Sequence, residues 1–152
     1  MDETQIRALV AALETTKVSE EEWTWEKLKP LGPSVLPFFL EYYAKMKKWQ
    51  ERVSLVFHSI KYARDYDEAF QLGINATKDK ATVVRYRACM VLAYSLKKEA
   101  LPHLRALLSH ADKKTVENAK AAIDAIEHRN HNYFIDRQHS GKMFWTVDSN
   151  AA

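Results

Sequence analysis

The chain repeats itself with a period of 33 residues, and this period limits its fold more than any other feature. The positions matched by a shift of 33 are Arg52 with Arg85, Asp79-Lys80 with Asp112-Lys113, Thr82-Val83 with Thr115-Val116, and Ala88 with Ala121. A period in the thirties to forties that contains two helical segments is typical of an α-solenoid. One helix pair cannot bury both of its faces alone, so neighbouring pairs must stack.

Apolar residues recur at helical spacing along most of the chain, and they predict eight helices. The predicted helices begin at caps at Asp2 or Thr4, at Ser19 and at Ser34, and continue over residues 49–63, 67–77, 82–96, 101–109 and 115–128. Only three glycines and four prolines occur, so few turns are expected beyond the short loops between helices. Short loops favour antiparallel neighbours. We therefore expect an all-α fold.

Residues 34–129 resemble HEAT repeats. That family carries a proline in its first helix, an aspartate in the turn between helices, and a Val-Arg pair shortly after it. The matching residues here are Pro37, Pro102, Asp79, Asp112 and Val84-Arg85, while Met46 and Glu117-Asn118 depart from the pattern. The resemblance implies an α-solenoid of about three HEAT-like helix pairs, a curved stack whose second helices line the concave side.

The sequence predicts a single domain over residues 1–147. Residues 1–33 would form a capping helix pair, 34–129 the repeats, and 130–147 a C-terminal extension. Two β-prone runs, 133–137 and 142–147, predict that this extension is a hairpin. Residues 148–152 are expected to be disordered.

Charge and cysteine content indicate which partner and which cellular location to expect. The net charge is +3, but residues 45–105 hold thirteen basic and six acidic side chains. This basic segment suggests an acidic partner, although a solvated helical surface with uneven lysines explains it as well. The single cysteine, Cys89, excludes an internal disulfide. No apolar run approaches the ~20 residues that cross a bilayer. We expect a cytoplasmic protein without a membrane partner.

The sequence contains no combination of residues that is typical of a catalytic site. Cys89 lies among apolar helix residues, where a thiol is usually inert. The three glycines are isolated, so no phosphate-binding loop is expected. His128 and His131, with Asp136 and His139, have ligand-like spacing, but neighbouring arginines favour an ordinary polar helix end. We predict no enzyme activity, no metal and no cofactor. The polar run 136–142 could be a functional loop or a charged turn.

These observations favour a protein-binding module. The chain resembles the small stand-alone HEAT-like proteins of bacteria, some of which are immunity proteins that neutralise a cognate toxin. The predicted partner is an acidic protein, and the narrower hypothesis makes it a toxin domain. Nucleic-acid binding through residues 45–105 is the alternative, and a HEAT-like DNA-repair glycosylase is a third that the chain looks too short to match. The predicted partner-binding residues are Arg52, Lys61, Tyr62, Arg64, Tyr66, Arg85, Tyr86 and Arg87.

Overall fold

The computed structural model describes residues 1–147, and within this range the chain is all-α, as predicted, with no β-strand. The helices are α1 (Glu3–Ala12), α2 (Val18–Leu28), α3 (Leu36–Tyr43), α4 (Trp49–Ser59), α5 (Asp67–Ala76), α6 (Thr82–Ser95), α7 (Leu101–Ala106) and α8 (Lys113–Glu127). Short 3₁₀ segments cover Lys29–Val35, Ile60–Tyr62, Lys98–Ala100, Leu107–Ser109 and His131–Phe134. No helix of residues 1–147 is long and apolar enough to span a bilayer. The expected disordered tail, 148–152, lies outside the described residues.

Local side chains set where the helices begin. Of the two predicted caps of α1, Asp2 and Thr4, it is Asp2 that caps the helix, in a capping box with Gln5. Ser19 was expected to cap α2 but lies inside it, because the helix already begins after Lys17. Thr15 stabilises that start instead: its Oγ1 accepts from the Lys17 amide and donates to Glu20. Ser34, the expected cap of α3, lies in a 3₁₀ segment and donates to the Leu31 carbonyl.

Helix α6 lies at the centre of the packing. It packs against α4, α5 and α8, while α3 packs against α5, and α1 against α2 and α3. This explains why α6 is apolar around most of its circumference, with Ala88, Val91 and Leu92 fully buried. Gly73 of α5 permits the close approach of α6, since a Cβ there would lie 2.6 Å from Val91 Cγ1. Helices α4 and α8 therefore both lie against α6.

A buried ion pair joins α4 to the turn before α6. Arg52 Nε and Nη2 donate to the two carboxylate oxygens of Asp79, at 2.7 and 3.0 Å. Asp79 also accepts from the Tyr43 hydroxyl at 2.6 Å and from the Ala81 amide at 2.9 Å. Burial alone would raise the pKa of Asp79, but the hydrogen bonds from Arg52 and Tyr43 outweigh it and hold the pKa below its usual value. The Asp79 carboxylate is therefore charged, and it holds together Arg52, Tyr43 and the Ala81 amide.

The same arrangement recurs one period later. Arg85 Nη2 lies 3.1 Å from Asp112 Oδ2, its Nε donates to Thr115 Oγ1, and its Nη1 donates to the Asp79 carbonyl. Thr82 Oγ1 donates to the Asp112 carboxylate as well. We call Arg52–Asp79 and Arg85–Asp112 the arginine–aspartate ladder. Arg85 reaches only the carbonyl of Asp79, because Arg52 occupies the Asp79 carboxylate.

The predicted C-terminal hairpin is wrong. Residues 131–134 form a 3₁₀ segment and 142–147 run extended without strand pairing. Asp136 closes the turn, accepting from the Ser140 amide and hydroxyl and from the Gly141 amide. The Trp145 amide donates to Asn132 Oδ1. Side chains therefore accept the hydrogen bonds of backbone amides in this segment. The segment packs on the helices and forms no hairpin.

The ladder predicts the outcome of replacing Asp79. Asp79→Ala leaves the guanidinium of Arg52, which is 7% exposed, buried without its counter-charge. We expect a loss of about 3 kcal/mol in the free energy of unfolding, measured by urea denaturation. The matched control is Asp65→Ala, since Asp65 is exposed and should cost less than about 0.5 kcal/mol. Equal losses in the two variants would contradict the anchoring role of Asp79.

Candidate binding surface

Two depressions lie next to α6. The first is an open cavity of about 420 Å³ lined by residues of α2, α3, α4 and α6, of the 3₁₀ segments Lys29–Val35 and Ile60–Tyr62, and by residues 145–147. Its aromatic wall consists of Trp25, Phe39, Phe57, His58, Tyr62 and Trp145. The second is a groove between α6 and α8. Its principal lining residues are Val83, Tyr86, Lys113, Lys114, Glu117, Asn118 and Arg137.

Arg87 lies between the two depressions. Its guanidinium carbon lies 4.7 Å from the ring centre of Phe57, which lines the cavity, and 5.2 Å from that of Tyr86, which lines the groove. Its Nη1 is 3.1 Å from Met90 Sδ. No carboxylate within residues 1–147 forms an ion pair with it. Cation–π contacts therefore orient Arg87 while its charge stays available to a partner.

Inside the cavity, the His58 ring packs against Trp25 with ring centres 3.7 Å apart and the two planes tilted by 31°. Burial, with smaller contributions from Lys61 and Lys29, lowers the pKa of His58 to about 4. The indole N–H of Trp25 is buried and has no acceptor among the described residues. His58 is therefore neutral at physiological pH, and the charged side chains that line the cavity among residues 1–147 are Lys29 and Lys61.

The eight predicted partner-binding residues separate into three groups. Lys61 and Tyr62 line the cavity, Tyr86 lines the groove, and Arg87 lies between them. Arg52 and Arg85 are 7% and 5% exposed and belong to the ladder, so they do not fit a role at an exposed surface. The remaining two predicted residues are Arg64 and Tyr66.

Arg64 anchors the C-terminal segment. Its Nε donates to the Tyr94 carbonyl at 2.7 Å, its Nη2 lies 2.7 Å from His131 Nδ1, and its guanidinium carbon lies 4.0 Å from the Tyr94 ring centre. The Tyr66 ring packs edge-on against Tyr62 and is 40% exposed. Arg64 is therefore occupied by intramolecular contacts, unlike Arg87.

Sequence reasoning missed Phe57 and the lysines of the groove, Lys113 and Lys114. One signal could have found Phe57: the 33-residue shift matches it with Met90, and both line the same cavity. Trp145 also lines this cavity, but no pattern in the sequence connects it to α4.

The histidine side chains with ligand-like spacing do not meet at one point in the structure. His131 contacts Arg64 and the Trp145 carbonyl, whereas His128 and His139 both contact the Asp124 carboxylate, at 3.0 and 2.5 Å. No group of three or more His, Cys, Asp or Glu side chains in residues 1–147 is arranged to hold a metal ion. Cys89 is fully buried, and burial raises the pKa of its thiol to about 12.

The chain matches no known protein family, and no curated protein sequence matches it.

The environment of His58 predicts a pH effect on stability. The unfolded chain protonates His58 near its ordinary pKa of 6.5, but the folded protein does so only near 4. The unfolded state thus binds more protons between these values, and stability should fall as the pH is lowered from 6.5 to 4. His58→Gln should reduce this slope in urea denaturation. An NMR titration that gave His58 a pKa near 6.5 would contradict a half-buried ring that stays neutral in the folded protein.

Proposed function

We propose that this protein is a non-enzymatic, HEAT-like protein-binding module that grips an acidic partner on the face next to α6 that carries the two depressions. The observation that carries the proposal is Arg87. Its guanidinium is oriented by Phe57 and Tyr86, lies between two depressions, and has no carboxylate partner in residues 1–147. An arginine fork held in this way is suited to a carboxylate of a partner.

Two features support the HEAT-like solenoid. Helices α4, α6 and α8 are one period apart, and α4 and α8 both lie against α6. The arginine–aspartate ladder repeats with the same 33-residue period and links each of these helices to the next. Stacked helix pairs of this kind present an extended surface for recognition.

The charge of the face favours an acidic partner. Basic side chains line the cavity (Lys29 and Lys61) and the groove (Lys113, Lys114 and Arg137), and among residues 1–147 Glu117 is the one acidic residue that lines either. Phe57 is 42% exposed beside Arg87. Aromatic residues and arginine are the side chains most enriched at the energetic centres of protein interfaces.

Protein binding is favoured over the nucleic-acid alternative. Phosphate backbones require a row of available basic side chains. Arg52 and Arg85 of the basic segment are buried in the ladder, and Arg64 is held by Tyr94 and His131. The narrower form of the proposal is an immunity protein whose acidic partner is a cognate bacterial toxin bound in the cytoplasm. It rests on the resemblance and on the basic face together.

A partner isolated by affinity capture and then purified would test the proposal by calorimetry. Arg87→Glu and Phe57→Ala should each weaken its binding at least about tenfold, since buried interface anchors often contribute more than ~2 kcal/mol. Arg105→Glu is the charge-matched control, because Arg105 lies on α7 with a side chain 58% exposed. Its affinity should stay within about twofold of wild type.

Circular dichroism of each variant would verify folding. Undiminished affinity of Arg87→Glu, or an equal loss in Arg105→Glu, would show that the interface lies elsewhere. Capture of nucleic acid in place of protein, with salt-dependent affinity, would favour the alternative.

A further inference from the structure

The cavity beside α2 and α4 is large enough to hold a small molecule. Its volume of about 420 Å³ lies within the ~300–1,000 Å³ range of ligand pockets. Apolar side chains such as Leu28, Val35, Ile60 and Met90 line it together with the aromatic wall. Aromatic rings pack on other flat rings in offset-stacked or edge-to-face arrangements, and such pairs gain more free energy than their buried area alone provides. The lining therefore favours a planar aromatic ligand.

Two neighbouring rings of the aromatic wall carry polar groups without partners. The half-buried His58 side chain lines the cavity, and neither of its ring nitrogens forms a hydrogen bond with another residue of the range 1–147. A neutral imidazole has one N–H donor and one bare nitrogen that accepts. The indole N–H of Trp25, which packs against His58, also has no acceptor among the described residues. A ligand with a hydrogen-bonding edge would pair groups that the protein leaves unpaired.

The two lysines of the cavity have contacts of their own. Lys29 Nζ pairs with Glu26 Oε1 at 3.0 Å, and Lys61 Nζ lies 5.3 Å from the ring centre of Tyr62. A cationic ligand would be repelled by two ammonium groups. The unpaired polar groups of the wall belong to the uncharged rings of His58 and Trp25, and a neutral hydrogen-bonding group matches them without the cost of burying a charge.

We propose that this cavity binds a small, uncharged, planar aromatic molecule whose polar edge hydrogen-bonds to His58. The site goes beyond the proposed protein-binding function and does not require a protein partner. Burial of the ligand rings against the aromatic wall supplies most of the affinity, and the hydrogen bond to His58 sets the orientation of the ligand. A cyclic amide is a suitable polar edge, since its N–H can donate to the bare imidazole nitrogen and its carbonyl can accept from an N–H.

Three uncharged probes separate the contribution of the rings from that of the polar edge. Carbostyril has two fused rings and a cyclic amide, naphthalene has the rings without the amide, and δ-valerolactam has the amide without an aromatic ring. In titrations of the purified chain followed by NMR, carbostyril should bind with a Kd on the order of 100 µM, and δ-valerolactam at least about tenfold more weakly.

The same spectra locate the bound carbostyril. It should shift the indole N–H signals of Trp25 and Trp145, which line the cavity, and leave that of Trp49, which does not. Equal affinities for carbostyril and δ-valerolactam, or unchanged signals of both Trp25 and Trp145, would overturn the proposal. These titrations use the wild-type chain, so they test the site even if a variant fails to fold.

Replacement of His58 tests the hydrogen bond. His58→Phe keeps a flat ring beside Trp25 and removes both ring nitrogens. It should weaken carbostyril roughly three- to tenfold, the effect of one lost hydrogen bond, and leave the affinity for naphthalene within about twofold. The matched control is His103→Phe, the same change on α7 at a residue that does not line the cavity. A carbostyril affinity that His58→Phe leaves unchanged, or that falls as far in His103→Phe, would contradict the assigned contact.

Discussion

The arginine–aspartate ladder is the interaction on which the arrangement of the helices depends. The first ion pair joins α4 to the turn before α6, and the second joins α6 to the turn before α8, so the ladder ties these three helices together. The ladder ends at the two positions where the sequence departs from the 33-residue repeat. Met46 takes the place of the turn aspartate before Arg52, and its carbonyl lies 3.3 Å from Arg52 Nη1. Asn118 takes the place of a third arginine, and Arg137 of the C-terminal segment donates to it. Both ends of the ladder are thus closed by hydrogen bonds, so that few buried polar groups remain unpaired.

The ladder also determines which charges remain for a partner. Arg85 and Arg87 lie two residues apart on α6, so the helix directs them to different sides. One side chain is buried against Asp112, while the other lies over Phe57 and Tyr86 on the face that carries the cavity and the groove. A single helix therefore supplies both the internal anchor and the candidate recognition residue. The rigid packing of α6 against α4, α5 and α8 keeps these two roles in fixed relation.

Much of the fold could be predicted from the sequence, but little of the candidate site. Helical periodicity located the eight helices, and the 33-residue shift identified Arg52 and Arg85 as equivalent. The shift could not reveal that both arginines are buried, because their aspartates lie 27 residues further on in different turns. The cavity could not be predicted for a similar reason, since Trp25 and Trp145 come from opposite ends of the chain. The β-prone C-terminal runs misled the prediction because Asp136 and Asn132 satisfy backbone groups that strand pairing would otherwise require.

A double-mutant cycle across the first rung of the ladder tests the central claim most directly. The four proteins are wild type, Arg52→Met, Asp79→Leu and the double variant, compared by urea denaturation. If the rung couples neighbouring helix pairs, each single variant leaves a buried charge unpaired and the double variant loses much less than the sum. The expected coupling is about 2 kcal/mol or more. Losses that add to within about 0.5 kcal/mol would show that the two residues act independently and would contradict the ladder as the organising contact.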